Sequence, residues 1–499
     1  MLLRIRQSMH PGLIAMLWGI PLLAQQAPRT WDAQELAQWA TPLASAHISP
    51  GHFSQEEYYR APVDNYRTYP VYHPDCEPAG YWAKLKVQKP EPLIDAAKVG
   101  PAFDWVAAGK RVWDEADVPF FRLFDQQSIS LARSADYVRK NENRLVIRPD
   151  GTLAHYRWVV TPRGIGLSIT ACSSCHTRFL DDGTAVAGAG FVGHRISDSL
   201  LDRMGDELLR ISYAGDTLAM SLYRQFGAPW IQGDIHAGLK NMPEQQIAAL
   251  FDAEIAGVTD RPNGSIYYVT KVPDLIGFRD RKFIDHTATH RHRSVGDLMR
   301  YAALVEYSDS MDFGHYRMLS DAQRKVRVRW PDELLFALAQ YIYSLEPPPN
   351  PNHSGELSER GRAVFAGAGC GGCHTPPLYT NNQLTLAAGY SPPAEHPLHA
   401  DIMPLSVGTD PSLALKTRKG TGLYKVPALK GVWYRGLYGH DGAVASLEEW
   451  LSAARLRDDY VPTGFKGAGV KSRAIKGHEF GLALPAGEKA ALIAFLRTI

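Results

Sequence analysis

Four of the five cysteines in this 499-residue chain fall into two copies of one pattern. Cys172-Ser173-Ser174-Cys175-His176 and Cys370-Gly371-Gly372-Cys373-His374 both read Cys-x-x-Cys-His. Two closely spaced thiols followed at once by an imidazole are what covalent haem attachment requires. The thiols add across the two vinyl groups of the porphyrin, and the histidine is held beneath the ring with its nitrogen on iron. The pattern therefore predicts two haem c groups, bound by Cys172, Cys175, Cys370 and Cys373, with His176 and His374 as proximal ligands. A zinc ribbon would need its cysteine pairs within roughly 15–20 residues of each other, and these stand far apart. A thioredoxin-type dithiol would leave both histidines unexplained.

What such irons do depends on the face opposite the proximal histidine. An electron-transfer haem takes a second Met or His ligand, whereas a catalytic one keeps that position open or displaceable. For the second haem the candidates are His440, in the turn-like Tyr438-Gly439-His440-Asp441-Gly442, and Met403, in Asp401-Ile402-Met403-Pro404. An open or tyrosine-capped iron is the third option. His440 would otherwise bond a haem propionate, and Met403 would simply pack. For the first haem the candidates are His286, His290, His292 and His194. The stretch Ile284–Arg293 is dense in His and Arg. It suits a ligand, proton-relaying imidazoles or cations that neutralise haem carboxylates, or else a solvated basic face. A metal site made from these histidines alone lacks a completing carboxylate motif.

The elements that hold these residues repeat. Pro331–Leu345 and Pro485–Ile499 each have helical apolar spacing and begin at a proline. Lys271-Val272-Pro273-Asp274-Leu275-Ile276-Gly277-Phe278 parallels Lys425-Val426-Pro427-Ala428-Leu429-Lys430-Gly431-Val432, and His286 and His440 stand at the same offset from their lysines. Ala108–Trp113 likewise matches Arg360–Phe365, which leads into the second haem motif. Duplication of one haem module explains this order. Pro347-Pro348-Pro349-Asn350-Pro351 reads as an extended linker between the copies.

The expected fold is mainly α, with two cytochrome c-like haem modules in tandem at 98–350 and 351–499. An N-terminal extension at 28–97 wraps the first module or forms a small domain of its own. A β-hairpin insertion is signalled by alternating apolar runs on either side of Pro149-Asp150-Gly151. Residues 1–27 combine Arg4 and Arg6 with an apolar stretch and small residues, which is the pattern of a secretory signal peptide. Membrane contact follows only if that segment stays uncleaved as an anchor. An exported, periplasmic setting agrees with haem c. The formal net charge of +2 gives no reason to expect nucleic acid. Cys76 is left over and reads as a buried, inert thiol or a reactive one.

Together these features resemble the di-haem cytochrome c peroxidase superfamily, including its rubber-oxygenase-like branch. The resemblance covers roughly 98–499 and is most specific in Gly420–Arg435, His440-Asp441-Gly442 and Ser446-Leu447-Glu448-Glu449-Trp450. It implies one haem that passes electrons and another that meets peroxide or oxygen. It also implies His440 as a sixth ligand, calcium between the domains, and a small redox protein or other electron donor as partner. The chain departs from the peroxidases where they carry Trp-Asp-Gly-Arg and a following acid. Here the stretch reads Phe283-Ile284-Asp285-His286-Thr287-Ala288, and no catalytic carboxylate carries over. Two functions follow: an exported di-haem oxidoreductase that reduces peroxide or activates oxygen, or a pure electron relay with both irons six-coordinate.

Overall fold

The computed structural model describes residues 26–499 apart from 46–47, 143–144, 146, 181, 191–215, 262, 307–311, 321–322 and 324–327. Most of the leader, and His194, therefore lie outside the described residues. Six helices position the site: α1 (Trp105–Glu115), α2 (Cys172–His176), α3 (Val295–Glu306), α4 (Asp332–Ser344), α5 (Glu356–Gly367) and α6 (Ala486–Thr498). None of the described helices is long and apolar enough to cross a membrane.

The sequence repeat reappears as two crossed helix pairs, α1 on α4 and α5 on α6. Each crossing is closed by a glycine. A Cβ on Gly109 would collide with the Ala337 carbonyl, and one on Gly361 with the Ala491 carbonyl. Backbones this close leave no room for any side chain. One turn further on, Trp113 meets Tyr341 edge-on at 5.7 Å, and Phe365 meets Phe495 at 5.3 Å. Asp104 caps α1 by accepting from the Ala107 amide, which satisfies a donor that the helix itself leaves free. Pro331 and Pro485 occupy the cap positions of α4 and α6, just outside the first helical residue. In α4, Leu335, Phe336 and Leu338 are fully buried, each worth about 1.5–3 kcal/mol.

The insertion differs from the expected hairpin. β1 (Thr68–Tyr72), β2 (Thr152–Thr161) and β3 (Gly164–Ile169) form an antiparallel sheet in that order. The main hairpin turns at Pro162 and Arg163, while Pro149-Asp150-Gly151 makes a turn that supports a single bridge, Ile147 to Leu153. β2 is long and rich in β-branched and aromatic residues, and it is paired along both edges. That pairing outweighs the local turn signal. The outer strand β1 comes from the N-terminal extension. The same extension donates from Thr41 to the Thr289 carbonyl, from Gly51 to that of Asp312 and from Ala44 to that of Gly420.

Candidate functional site

No cysteine is in a disulfide, and Cys172, Cys175, Cys370 and Cys373 are half-buried. α2 carries the whole first motif. The second begins in a 3-10 turn, Cys370–Gly372, after α5 and Gly369, whose φ of 79° suits the residue without a side chain, and Cys373 and His374 follow that turn.

The histidines of both Cys-x-x-Cys-His motifs are oriented by backbone carbonyls. His176 Nδ1 donates to the Pro273 carbonyl at 3.0 Å. His374 Nδ1 donates to the Tyr379 carbonyl at 3.0 Å, with the Pro427 carbonyl as a further acceptor. Pro273 and Pro427 are the same position in the two Lys-Val-Pro segments, which gives that repeat a structural role. Fixing Nδ1 as the donor leaves Nε2 as the lone-pair nitrogen that a metal needs. Burial first, and then the Arg261 cation, push His176 down to about 4. Burial likewise lowers His374. Neutral imidazoles are the ligand form.

Near His374 lies a histidine that the sequence reading did not single out, His478, whose ring also packs 5.4 Å from the rings of Trp450 and Phe480. The His478 ring lies 6.3 Å from the His374 ring, centroid to centroid. Two imidazoles on one metal, with metal–nitrogen bonds of about 2 Å and about 1.1 Å from nitrogen to ring centre, hold their centroids roughly 6 Å apart. His478 Nδ1 is buried without a hydrogen-bond partner. Burial, then the facing His374, push His478 down to about 4. Its loop is tightly held. His478 sits at φ 48°, a region a side chain enters at a cost. Its amide donates to the Val407 carbonyl at 2.6 Å. The neighbouring Gly477 packs so closely on Gly408 that a Cβ would collide. Arg455, fully buried, donates to the Trp450, Ile475 and His478 carbonyls at 2.9, 2.5 and 2.8 Å.

Of the sequence candidates for the second haem, Met403 lies beside the second motif and His440 has no ring contact with His374. His440 rests against Tyr424, ring centroids 5.0 Å apart. Met403 Sδ lies 4.0 Å from Cys373 Sγ and 3.4 Å from Asn381 Nδ2. In the first module, His286 Nε2 donates to the Lys271 carbonyl at 2.8 Å. His292 is satisfied at both nitrogens, by the Arg281 carbonyl and the Tyr343 hydroxyl, each at 2.6 Å. His290 Nδ1 meets Thr289 Oγ1 at 3.0 Å, while its Nε2 is buried without a partner. Among the described residues no imidazole faces His176 as His478 faces His374; its ring neighbour is Trp113, at 6.4 Å.

A cleft of about 560 Å³, solvent-open space included, lies where the N-terminal extension meets both halves of the chain, lined among others by His52, Arg261, Asp285, His290, Tyr301 and Lys419. Asp285 accepts from Thr289, Tyr301 and Lys419 at 2.5, 2.5 and 3.2 Å. Burial opposes its ionisation, but Lys419, Arg261 and these hydrogen bonds hold the carboxyl well below the usual range. No group of three or more His, Cys, Asp or Glu side chains that could hold a metal ion occurs among the described residues.

No family profile matches this sequence, and no curated protein does. Among solved structures, the chain is similar to hydrazine synthase of Kuenenia stuttgartiensis. The identity is 15%, over 57% of this chain and 89% of that one, at a TM-score of 0.30. A MauG-like protein associated with microbial copper homeostasis shares 21% identity over 34% of this chain and 56% of its own, at a TM-score of 0.22. Likenesses this loose carry no argument about fold or activity.

Proposed function

We propose that the chain is an exported di-haem c-type oxidoreductase in which the two irons have different tasks. The observation that carries this reading is the asymmetry of the distal faces. His374 has an imidazole near it at ligand spacing, and His176 has none among the described residues. Haem supplies one-electron chemistry and, at an open iron, a place for peroxide or oxygen.

The chain's own residues supply the rest. Cys172, Cys175, Cys370 and Cys373 would hold the two rings, and the Pro273 and Tyr379 carbonyls orient His176 and His374. His374 and His478 would both hold the second haem, which would suit it to carrying electrons, and Arg455 holds the His478 loop through backbone carbonyls. The cleft lined by His52, His290, Arg261 and Tyr301 carries a cation, Arg261, whose charge is felt at His176. Its polar groups would orient a small oxidant, and the donor to the second site would be a small redox protein. This agrees with the resemblance to the di-haem peroxidase superfamily and its rubber-oxygenase-like branch.

The test is the electron paramagnetic resonance spectrum of the oxidised protein, with a cyanide titration. One low-spin bis-imidazole signal and one high-spin signal that cyanide converts support the reading. Two low-spin signals, both inert to cyanide, leave the pure relay.

A further inference from the structure

The two Lys-Val-Pro segments both line one cleft of about 600 Å³, solvent-open space included. Lys271, Lys425, Arg281, Arg435, Asp274 and His286 are on its walls. The segments are crossed. The Lys271 amide donates to the His440 carbonyl at 2.9 Å, and the Lys425 amide donates to the His286 carbonyl at 3.0 Å. Each module's lysine thus anchors the other module's histidine loop. The arginines repeat as well. Arg281 donates to the Asp274 and Ile276 carbonyls, each at 2.5 Å. Arg435 donates to the Ala428 and Lys430 carbonyls, the same two positions after its own Lys-Val-Pro.

The charges do not balance. Four cations face one carboxylate, Asp274, which lies 3.4 Å from Arg281 and 3.3 Å from Arg435. In the second copy Ala428 stands at the Asp274 position, so no second carboxylate completes the symmetry. Neither lysine ammonium has a hydrogen bond or ion pair among the described residues. Arg178 adds a further cation near Lys271. Asp285 and Lys419 are felt at Lys425, but Asp285 is already engaged by Lys419, Thr289 and Tyr301. Burial, then the neighbouring arginines, push both lysines down to about 7. A half-buried cluster of like charge is costly unless anions enter it.

Each segment also touches one proximal histidine, Pro273 to His176 and Pro427 to His374. The cleft is therefore where the surroundings of both haem sites meet. We propose that it is a single anion site taking propionate carboxylates from both haems, with Lys271, Lys425, Arg281 and Arg435 as shared counter-charges. This rests on the two-haem reading above. Its consequence is that the reduction potentials of the two haems are set jointly, because a cation near one carboxylate set is also near the other.

Spectroelectrochemistry of Lys271→Met and Lys425→Met tests it, with each haem followed by its own spin-state signal. Pyridine haemochrome analysis of every variant checks for two haems, so failure of the two-haem reading is seen separately. Each single substitution is expected to lower both midpoint potentials, on the order of tenfold in the reduction equilibrium, about 59 mV for one electron. Lys271→Arg and Lys425→Arg are expected to retain the wild-type values, which separates charge from folding. If each Met variant shifts one haem alone, or neither, the shared site is wrong. If the potentials instead follow phosphate concentration in the wild type, the cleft holds a free anion and the proposal is overturned.

Discussion

Replacing Arg455 by Met tests whether the loop that presents His478 is held as the structure indicates. Arg455 is fully buried and makes three hydrogen bonds to backbone carbonyls of Trp450, Ile475 and His478. It also lies over the Trp450 ring at 4.9 Å. Met keeps much of the volume and none of the donors. Each charge-assisted bond is worth about 1.5–3 kcal/mol, and a carbonyl left buried and unpaired costs about 1–3 kcal/mol. Partial rescue by water reduces the sum, so a loss of about 4 kcal/mol is expected. At roughly 2–4 °C per kcal/mol this lowers Tm by about 8–16 °C. Because Ile475 and His478 sit in one loop, the low-spin signal should also convert in part to high-spin while haem content stays unchanged. Guanidinium unfolding and the optical spectrum read the two effects. A variant with unchanged stability and an intact low-spin signal would refute the reasoning.

Further outcomes follow from the same geometry. Gly109→Ala and Gly361→Ala each force a Cβ into a facing helix carbonyl, and each should lose about 3 kcal/mol in denaturant unfolding. Asp297 is buried between Arg293 and Arg300. Burial opposes its ionisation, yet the two arginines hold its carboxyl low. Its contribution is therefore present above the unfolded carboxyl value of about 4 and fades as pH falls below it. Asp297→Asn should lose about 3 kcal/mol at pH 7, and the gap to wild type should narrow in acid unfolding. His286→Ala should leave both haem spin states as they are, because its Nε2 is engaged by the Lys271 carbonyl. Cyanide should bind the first haem in the fully oxidised protein, and binding only after half-reduction would instead show a reductively released cap.

Much of the framework was legible in the sequence because it is local. The two Cys-x-x-Cys-His motifs and the apolar spacing behind Pro331 and Pro485 each lie within a few turns of chain. The Lys-Val-Pro repeat was visible, but its task was not. That the Pro273 carbonyl orients His176 depends on how a distant loop folds back. Arg281 and Arg435, at one offset in both copies, could have been found by extending the same alignment. His478 had no such signal. It has no counterpart at a matching offset in the first module, and its placement depends on Arg455 and on the contact between Gly477 and Gly408. The hairpin turn was misplaced because Pro149-Asp150-Gly151 is a strong local turn signal, whereas the long pairing of β2 is set by β1 from a remote segment.

The most direct test of the account is the electron paramagnetic resonance spectrum of His478→Ala, with His440→Ala and Met403→Ala beside it, all at two haems per chain. The account predicts that the bis-imidazole low-spin signal disappears in the His478 variant alone and that imidazole added to it restores a low-spin signal. A low-spin signal that survives in His478→Ala, or that is lost in His440→Ala or Met403→Ala, would contradict it.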